Sequence, residues 1–174
     1  PLRIEYPGAW YHVTSRGNEN KKIFSDDHDR KRFLEILSAT RNLYGVEVHA
    51  YVLMKNHFHL VLMTSEANLS SFMQRFNTTY TIYYNRRHKR SGHLYQGRYK
   101  AILIEEDSYL LELSRYVHLN PVRIKRYSRF DIKEKRKIIQ KYGWSSYNGY
   151  VRIKKRGTLV NYSKILGMIG GKND

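Results

Sequence analysis

The sequence predicts an α+β fold, with one antiparallel sheet, two helices on one face and a further helix appended. Three observations predict it. Four stretches rich in aromatic and β-branched residues occupy 9–16, 46–54, 57–64 and 94–104. Amphipathic stretches separate the first from the second and the third from the fourth. The second and third meet at Lys55-Asn56, which suits a hairpin turn. Strand, helix, strand, strand, helix, strand is the split βαβ order of a ferredoxin-like sandwich.

Ala9-Trp-Tyr-His-Val-Thr-Ser-Arg16 alternates as a strand and stops at Gly17-Asn18. Ser25, Asp26 and Asp27 can cap a first helix. Phe33, Leu34, Leu37 and Tyr44 form its apolar stripe and Gly45 ends it. Asn68 can cap the second helix, with Leu69, Phe72, Met73, Phe76 and Tyr80 at helical spacing. Glu105, Glu106 and Asp107 favour a helix N-terminus after the fourth strand. That third helix runs to about Leu119, because Pro121 disfavours helical geometry at Asn120. Residues 125–141 are basic, polar and predicted helical. The remainder, from Gly143 to Asp174, carries two aromatic clusters and predicts no definite element. The expected division is a main domain at 1–124 and a basic extension at 125–174 packed on it.

At 174 residues the chain suits one compact domain. Its 32 Lys and Arg against 15 Asp and Glu give a formal net charge of +17. A pI near 10.0 is the electrostatic footprint of a nucleic-acid binder. The charge is spread along the chain, which argues against a membrane-surface helix. The 16 tyrosines interleave with basic residues, as in Tyr80, Tyr83, Tyr84, Arg86 and Arg87, a pattern suited to single strands with exposed bases. The absence of cysteine excludes disulfides and thiolate metal sites. With no apolar run long enough to span a bilayer and no signal peptide, a cytoplasmic, nucleoid-associated protein is expected.

Within Tyr51-Val-Leu-Met-Lys-Asn-His-Phe-His-Leu-Val-Leu62, strand alternation points His57 and His59 to one face and Phe58 to the other. Two such imidazoles can share a metal ion, and they equally suit two hydrogen-bonded histidines on a half-polar face. In the third helix, Tyr109, Glu112, Tyr116 and Asn120 follow at spacings of three, four and four and share a side. A tyrosine hydroxyl is a nucleophile once deprotonated. An Asn120 oxygen beside two histidines would complete a three-ligand site with room for a substrate oxygen. Packed tyrosine and helix-end asparagine are the alternative roles. By ligand softness the two histidines suit Zn²⁺ or Mn²⁺. The turn Arg86-Arg-His-Lys-Arg-Ser-Gly92 reads as a loop contacting a phosphate backbone or as a solvated loop.

Taken together, Tyr11-His-Val-Thr-Ser-Arg-Gly-Asn18, Asn56-His-Phe-His-Leu60, Tyr95-Gln-Gly-Arg-Tyr99 and Arg115-Tyr-Val-His-Leu-Asn-Pro-Val-Arg123 resemble the REP-associated tyrosine transposases. These are a domesticated branch of the single-tyrosine, His-hydrophobic-His (HUH) transposases. Trp144-Ser-Ser-Tyr147 also fits, and the resemblance covers about 8–150. It implies a ferredoxin-like domain that cuts single-stranded DNA beside an imperfect palindromic hairpin. By position, His57, His59 and Asn120 would hold a divalent ion, Mg²⁺ or Mn²⁺, and Tyr116 would attack phosphorus. The products would be a 5′-phosphotyrosine and a free 3′-hydroxyl. The DNA-contacting set expected is Arg16 and Asn18 after the first strand, Arg86, Arg87, Lys89 and Arg90 in the basic turn, Arg98 and Tyr99, and Arg123. Arg16 would either read a guanine beside the hairpin or contact a phosphate. The short chain end departs from the family's full C-terminal region and suggests a truncated form.

Two other functions fit the same residues. One is a binding module for hairpin DNA or RNA with structural histidines; the other is a metal-dependent RNA-processing nuclease that uses water. Retention of His57, His59, Tyr116 and Asn120 favours the strand transferase, acting as monomer or homodimer with no membrane partner.

Overall fold

Two cores, one on each face of a single sheet, organise the molecule. The structure, a computed structural model, describes residues 4–105 and 107–170. Strands β1 (Ala9–Arg16), β2 (Val46–Leu53), β3 (His57–Thr64) and β4 (Lys100–Ile104) pair antiparallel in the order β2-β3-β1-β4. The expected ferredoxin-like α+β fold is therefore the observed one. Helices α1 (Asp27–Tyr44) and α2 (Leu69–Arg87) cover one face, and α3 (Asp107–Leu119) covers the other.

Alternation decides which residues go where. Tyr11 and Val13 of β1, Phe58, Leu60 and Leu62 of β3, and Val46 and Val48 of β2 face α1 and α2. Their partners include Phe33 and Leu37 of α1 and Phe72, Phe76 and Tyr80 of α2. The Phe33 ring sits at the centre, 4.8–5.1 Å from the rings of Phe76, Phe58, Tyr80 and Phe24. On the opposite face Ala50, Val52, Val61 and Ile104 pack on Leu110, Leu113 and Val117 of α3. A bulge between Val48 and Ala50 shifts the register of β2 against β3.

The helix ends follow local chemistry. Asp26 caps α1 by accepting from the Asp29 amide at 3.0 Å, and Gly45 closes it in the left-handed conformation at φ 62°. Asn68 stands at the N-cap of α2 but its side-chain amide donates to the Tyr44 carbonyl at 2.9 Å, so it ties the two helices together instead of capping. Of the acidic run expected before α3, Glu106 lies outside the described residues.

Further expectations need correction. The fourth strand begins at Lys100, not 94. Gly97 adopts φ 69°, which ends the extended run and turns 94–99 into a loop strapped to β1 through Gln96 N–H donating to the Arg16 carbonyl at 2.8 Å. The basic stretch 125–141 is a short turn followed by helix α4 (Ile132–Lys141), started by a capping box between Asp131 and Glu134. The tail, for which no element was expected, pairs with the outer edge of β2 through Trp144–Ser146 and Val160–Asn161. It contributes helices α5 (Tyr147–Val151) and α6 (Ser163–Ile169). Among the described residues no helix is long and apolar enough to cross a membrane.

Truncating the central ring measures the first core. Phe33→Ala should cost about 3–5 kcal/mol in urea denaturation, the usual penalty for deleting a fully buried phenylalanine. A loss under about 1 kcal/mol would contradict this packing.

Candidate active site

The alternation that buries Phe58 against Phe33 sends His57 and His59 to the other face, toward α3. There they meet Tyr116 and Asn120 in one cavity of about 840 Å³. Arg16, Arg98 and Lys100 also line it, so its wall is cationic. The Tyr116 ring stands edge-on to His59 at 5.6 Å and to His12 at 6.0 Å, and is 37% exposed. The Arg123 guanidinium lies over its other side, 4.6 Å from the ring centroid.

Both histidines are held by their Nδ1 atoms. His57 Nδ1 donates to the Asn56 side-chain oxygen at 2.8 Å. His59 Nδ1 is 2.9 Å from Nε2 of His12, a buried neighbour on β1. The Nε2 atoms of His57 and His59 are thereby left for the cavity, as in metal sites whose ligand rings are oriented by an outer partner. Burial keeps these imidazoles neutral. Desolvation lowers His57, with the Arg16 charge adding to it. It takes His12 down to about 4 and His59 to about 3. A neutral imidazole is the form that ligates metal.

Asn120 begins a 3-10 turn that continues from α3 (Asn120–Val122). Its amide nitrogen donates to the Tyr116 carbonyl at 3.0 Å, which aims its oxygen away from the helix backbone. Two imidazoles and one amide oxygen fit a divalent ion of intermediate softness. Among the described residues no group of three or more His, Cys, Asp or Glu is arranged to hold one.

The remaining expected contacts divide. Arg16 and Arg98 line the cavity. Arg86 and Lys89 are exposed at the end of α2, away from its lining. Arg87 is bound to Asp26 at 2.7 Å and to the fully buried Asp29 at 2.5 Å, which makes it a structural ion pair. Arg90 bonds Asn85 at 2.8 Å and holds its own loop. Asn18 lies in the turn after β1, where its N–H donates to the Leu94 carbonyl at 2.9 Å. Tyr99 is only 8% exposed, and Tyr80 and Tyr84 continue the buried Phe72–Phe76 line of α2. Those three rings cannot stack on bases, a correction to the reading of interleaved aromatics.

Sequence reasoning assigned no part in the site to His12, Asn56, Asn20, Gln96 or Lys100. His12 had a signal: it alternates out of the β1 core just as His57 and His59 alternate out of β3. Asn20 accepts from Arg16 Nε at 3.0 Å and also bonds the Asn56 amide, linking Arg16 to the partner of His57. This link depends on Gly17, where an added Cβ would collide with the Lys21 carbonyl.

On one face of this sheet two histidines thus lie under a helix-borne tyrosine. The chain belongs to the IS200-like transposase family, whose model matches residues 5–120. None of the curated proteins matches it. Among solved structures it is similar to a REP-associated tyrosine transposase bound to a REP hairpin, at 15% identity over 94% of each chain and a TM-score of 0.67. A proposed transposase from Deinococcus radiodurans R1 matches at 16% identity and a TM-score of 0.48, over 67% of this chain and 94% of that one. The tRNA(His) guanylyltransferase of Saccharomyces cerevisiae matches at 12% identity and 0.47, over 81% and 80%. The first shows a shared fold; the other two are too distant to carry an argument.

Keeping histidines neutral has a cost at low pH. Unfolded, each takes a proton near pH 6.5; folded, His12 and His59 resist until about 4 and about 3, and His118 until about 4. The unfolded state then binds more protons below pH 6.5, so stability is full above that value and falls as pH drops toward the folded values. Each of the three should contribute a loss of about 2 kcal/mol between about pH 7.5 and about pH 5. Urea melts at the two pH values check this. Equal stability at both would contradict it.

Proposed function

We propose that the protein is a metal-dependent endonuclease and strand transferase for single-stranded DNA beside a hairpin, acting through a 5′-phosphotyrosine on Tyr116. The observation that carries this is the convergence of His57, His59, Asn120 and Tyr116 in one cationic cavity. Family membership and the fold shared with a hairpin-bound transposase support it.

In this reading His57, His59 and the Asn120 oxygen hold Mg²⁺ or Mn²⁺. When bound, the ion supplies positive charge to the oxygens of the scissile phosphate. Arg16, Arg98 and Lys100 neutralise the strand around it. Asn120 fixes its own amide on the Tyr116 carbonyl, so ligand and nucleophile keep a constant offset along α3. Arg123 on one side and His12 and His59 on the other hold the phenol ring against the cavity. Attack by the phenol oxygen would form one phosphorus–oxygen bond as the bond to the 3′ oxygen breaks; the phenol gives up its proton to solvent and the departing 3′ oxygen takes one up as a free hydroxyl. Because the ester conserves the bond, a second strand can be joined without a nucleotide cofactor. Such a protein works with the chromosome, in the cytoplasm at the nucleoid.

With labelled hairpin DNA and Mg²⁺ or Mn²⁺, a denaturing gel should show a covalent adduct that maps to Tyr116. Tyr116→Phe should lose cleavage and adduct by at least about a thousandfold and still bind the hairpin within about threefold, since it lacks only the nucleophilic oxygen. Chelation of the metal should abolish both products, while Tyr109→Phe and Tyr127→Phe should react normally. Cleavage without an adduct would point to a water-using nuclease, and binding without cleavage to a recognition module.

A further inference from the structure

The motif Trp144-Ser-Ser-Tyr147 lies beyond the residues matched by the family model and takes no part in the cavity. Its place in the fold gives it a task. The Trp144 carbonyl accepts from Leu53 N–H at 2.8 Å, and Ser146 N–H donates to the Tyr51 carbonyl at 3.0 Å. The Tyr142 hydroxyl adds a bond to the Leu53 carbonyl at 2.5 Å. These bonds clamp the motif to the outer edge of β2.

From that edge the Ser146 side chain turns inward. Its oxygen accepts from Tyr51 N–H at 3.0 Å and lies 2.8 Å from His118 Nε2. The hydroxyl also reaches the Tyr51 carbonyl, at 3.4 Å. Ser146 and His118 are 3% and 6% exposed. His118 belongs to α3, two residues after Tyr116 and two before Asn120. Two residues are about 200° apart around a helix. The bond to Ser146 therefore grips the back of α3, while Tyr116 and Asn120 face the cavity. The rings of Tyr150 and Tyr147 flank His118 at 5.3 and 5.9 Å.

Leu110, Leu113 and Val117 seat α3 on the sheet through apolar contacts. Apolar contact is non-directional and tolerates a small roll of the helix. A buried hydrogen bond is directional and does not. We infer that Ser146 is a positioning residue for the nucleophile: held on the edge of β2 and bonded to His118, it sets the rotation of α3 and so the distance from the Tyr116 oxygen to a phosphate in the cavity. The inference rests on the strand-transfer reading above. It makes the tail part of the catalytic apparatus without contact between tail and substrate.

The test uses the full chain as wild type, Ser146→Ala and Ser146→Thr. Under single turnover with saturating hairpin DNA, Ser146→Ala should form adduct about tenfold more slowly, the factor expected from one ordinary buried hydrogen bond. Hairpin affinity should stay within about twofold, because the phosphate contacts are untouched. Ser146→Thr, which keeps the hydroxyl, should recover most of the rate. Without DNA, amide hydrogen exchange in α3 should be about tenfold faster in Ser146→Ala and unchanged in α1 and α2. A wild-type rate in Ser146→Ala, no rescue by threonine, or unaltered exchange in α3 would overturn the inference. If the wild type forms no adduct at all, the strand-transfer reading fails, and the exchange comparison still decides whether Ser146 seats α3.

Discussion

Phe58 stands between His57 and His59, and its burial decides where both imidazoles go. Side chains alternate along a strand, so a residue locked into one core fixes its neighbours on the opposite face. Phe58 is fully buried against Phe33 and Phe76. A slip of one residue in β3 would expose the phenylalanine and bury the histidines among apolar rings. The register opposing Thr14 to His59 and Arg16 to His57 then brings β1 into the site. His12, Arg16 and the histidine pair are consequences of one pairing, and α3 closes over them.

That geometry places unlike demands on one sheet face. Near Val52, Val61 and Ile104 it is apolar where α3 packs; a few residues away, at Arg16 and Lys100, it is cationic. The division falls along the strands, with Tyr116 at the boundary. Tyr116 borders both the polar cavity and an adjoining cleft lined by Ile102, Tyr109 and Leu119. Its ring is kept in place by aromatic edges and a guanidinium, and neither is a covalent or metal restraint. Placement of the Tyr116 ring accordingly depends on how firmly α3 is seated.

The sheet, its three covering helices and the histidine pair were legible because periodicity and local capping mark them. Asp26 before α1 and Gly45 after it are short-range signals. What was not legible rests on contacts distant in sequence. Arg87 read as a DNA contact because nothing near it shows that Asp29, 58 residues earlier, is a buried carboxylate needing a partner. Tyr99 and Tyr84 read as stacking surfaces because tyrosine serves cores and surfaces equally well. The tail gave no periodic signal since its pairing partners, Val48 to Leu53, lie about a hundred residues upstream. The loop at 94–99 has strand-like composition, and only the positive φ of Gly97 separates it from β4. The capping box at Asp131 and Glu134 is a short-range signal of the same kind.

In the proposed function one chain assembles a metal site from His57, His59 and Asn120 next to Tyr116. Crystals of the protein soaked in Mn²⁺ and measured at the manganese absorption edge test it without DNA or turnover. The expected result is a single anomalous peak bonded to Nε2 of both histidines at about 2.0–2.3 Å, with the Asn120 oxygen facing it. No peak at millimolar Mn²⁺, or one coordinated by other residues while His57 and His59 stay bonded only to Asn56 and His12, would contradict the claim.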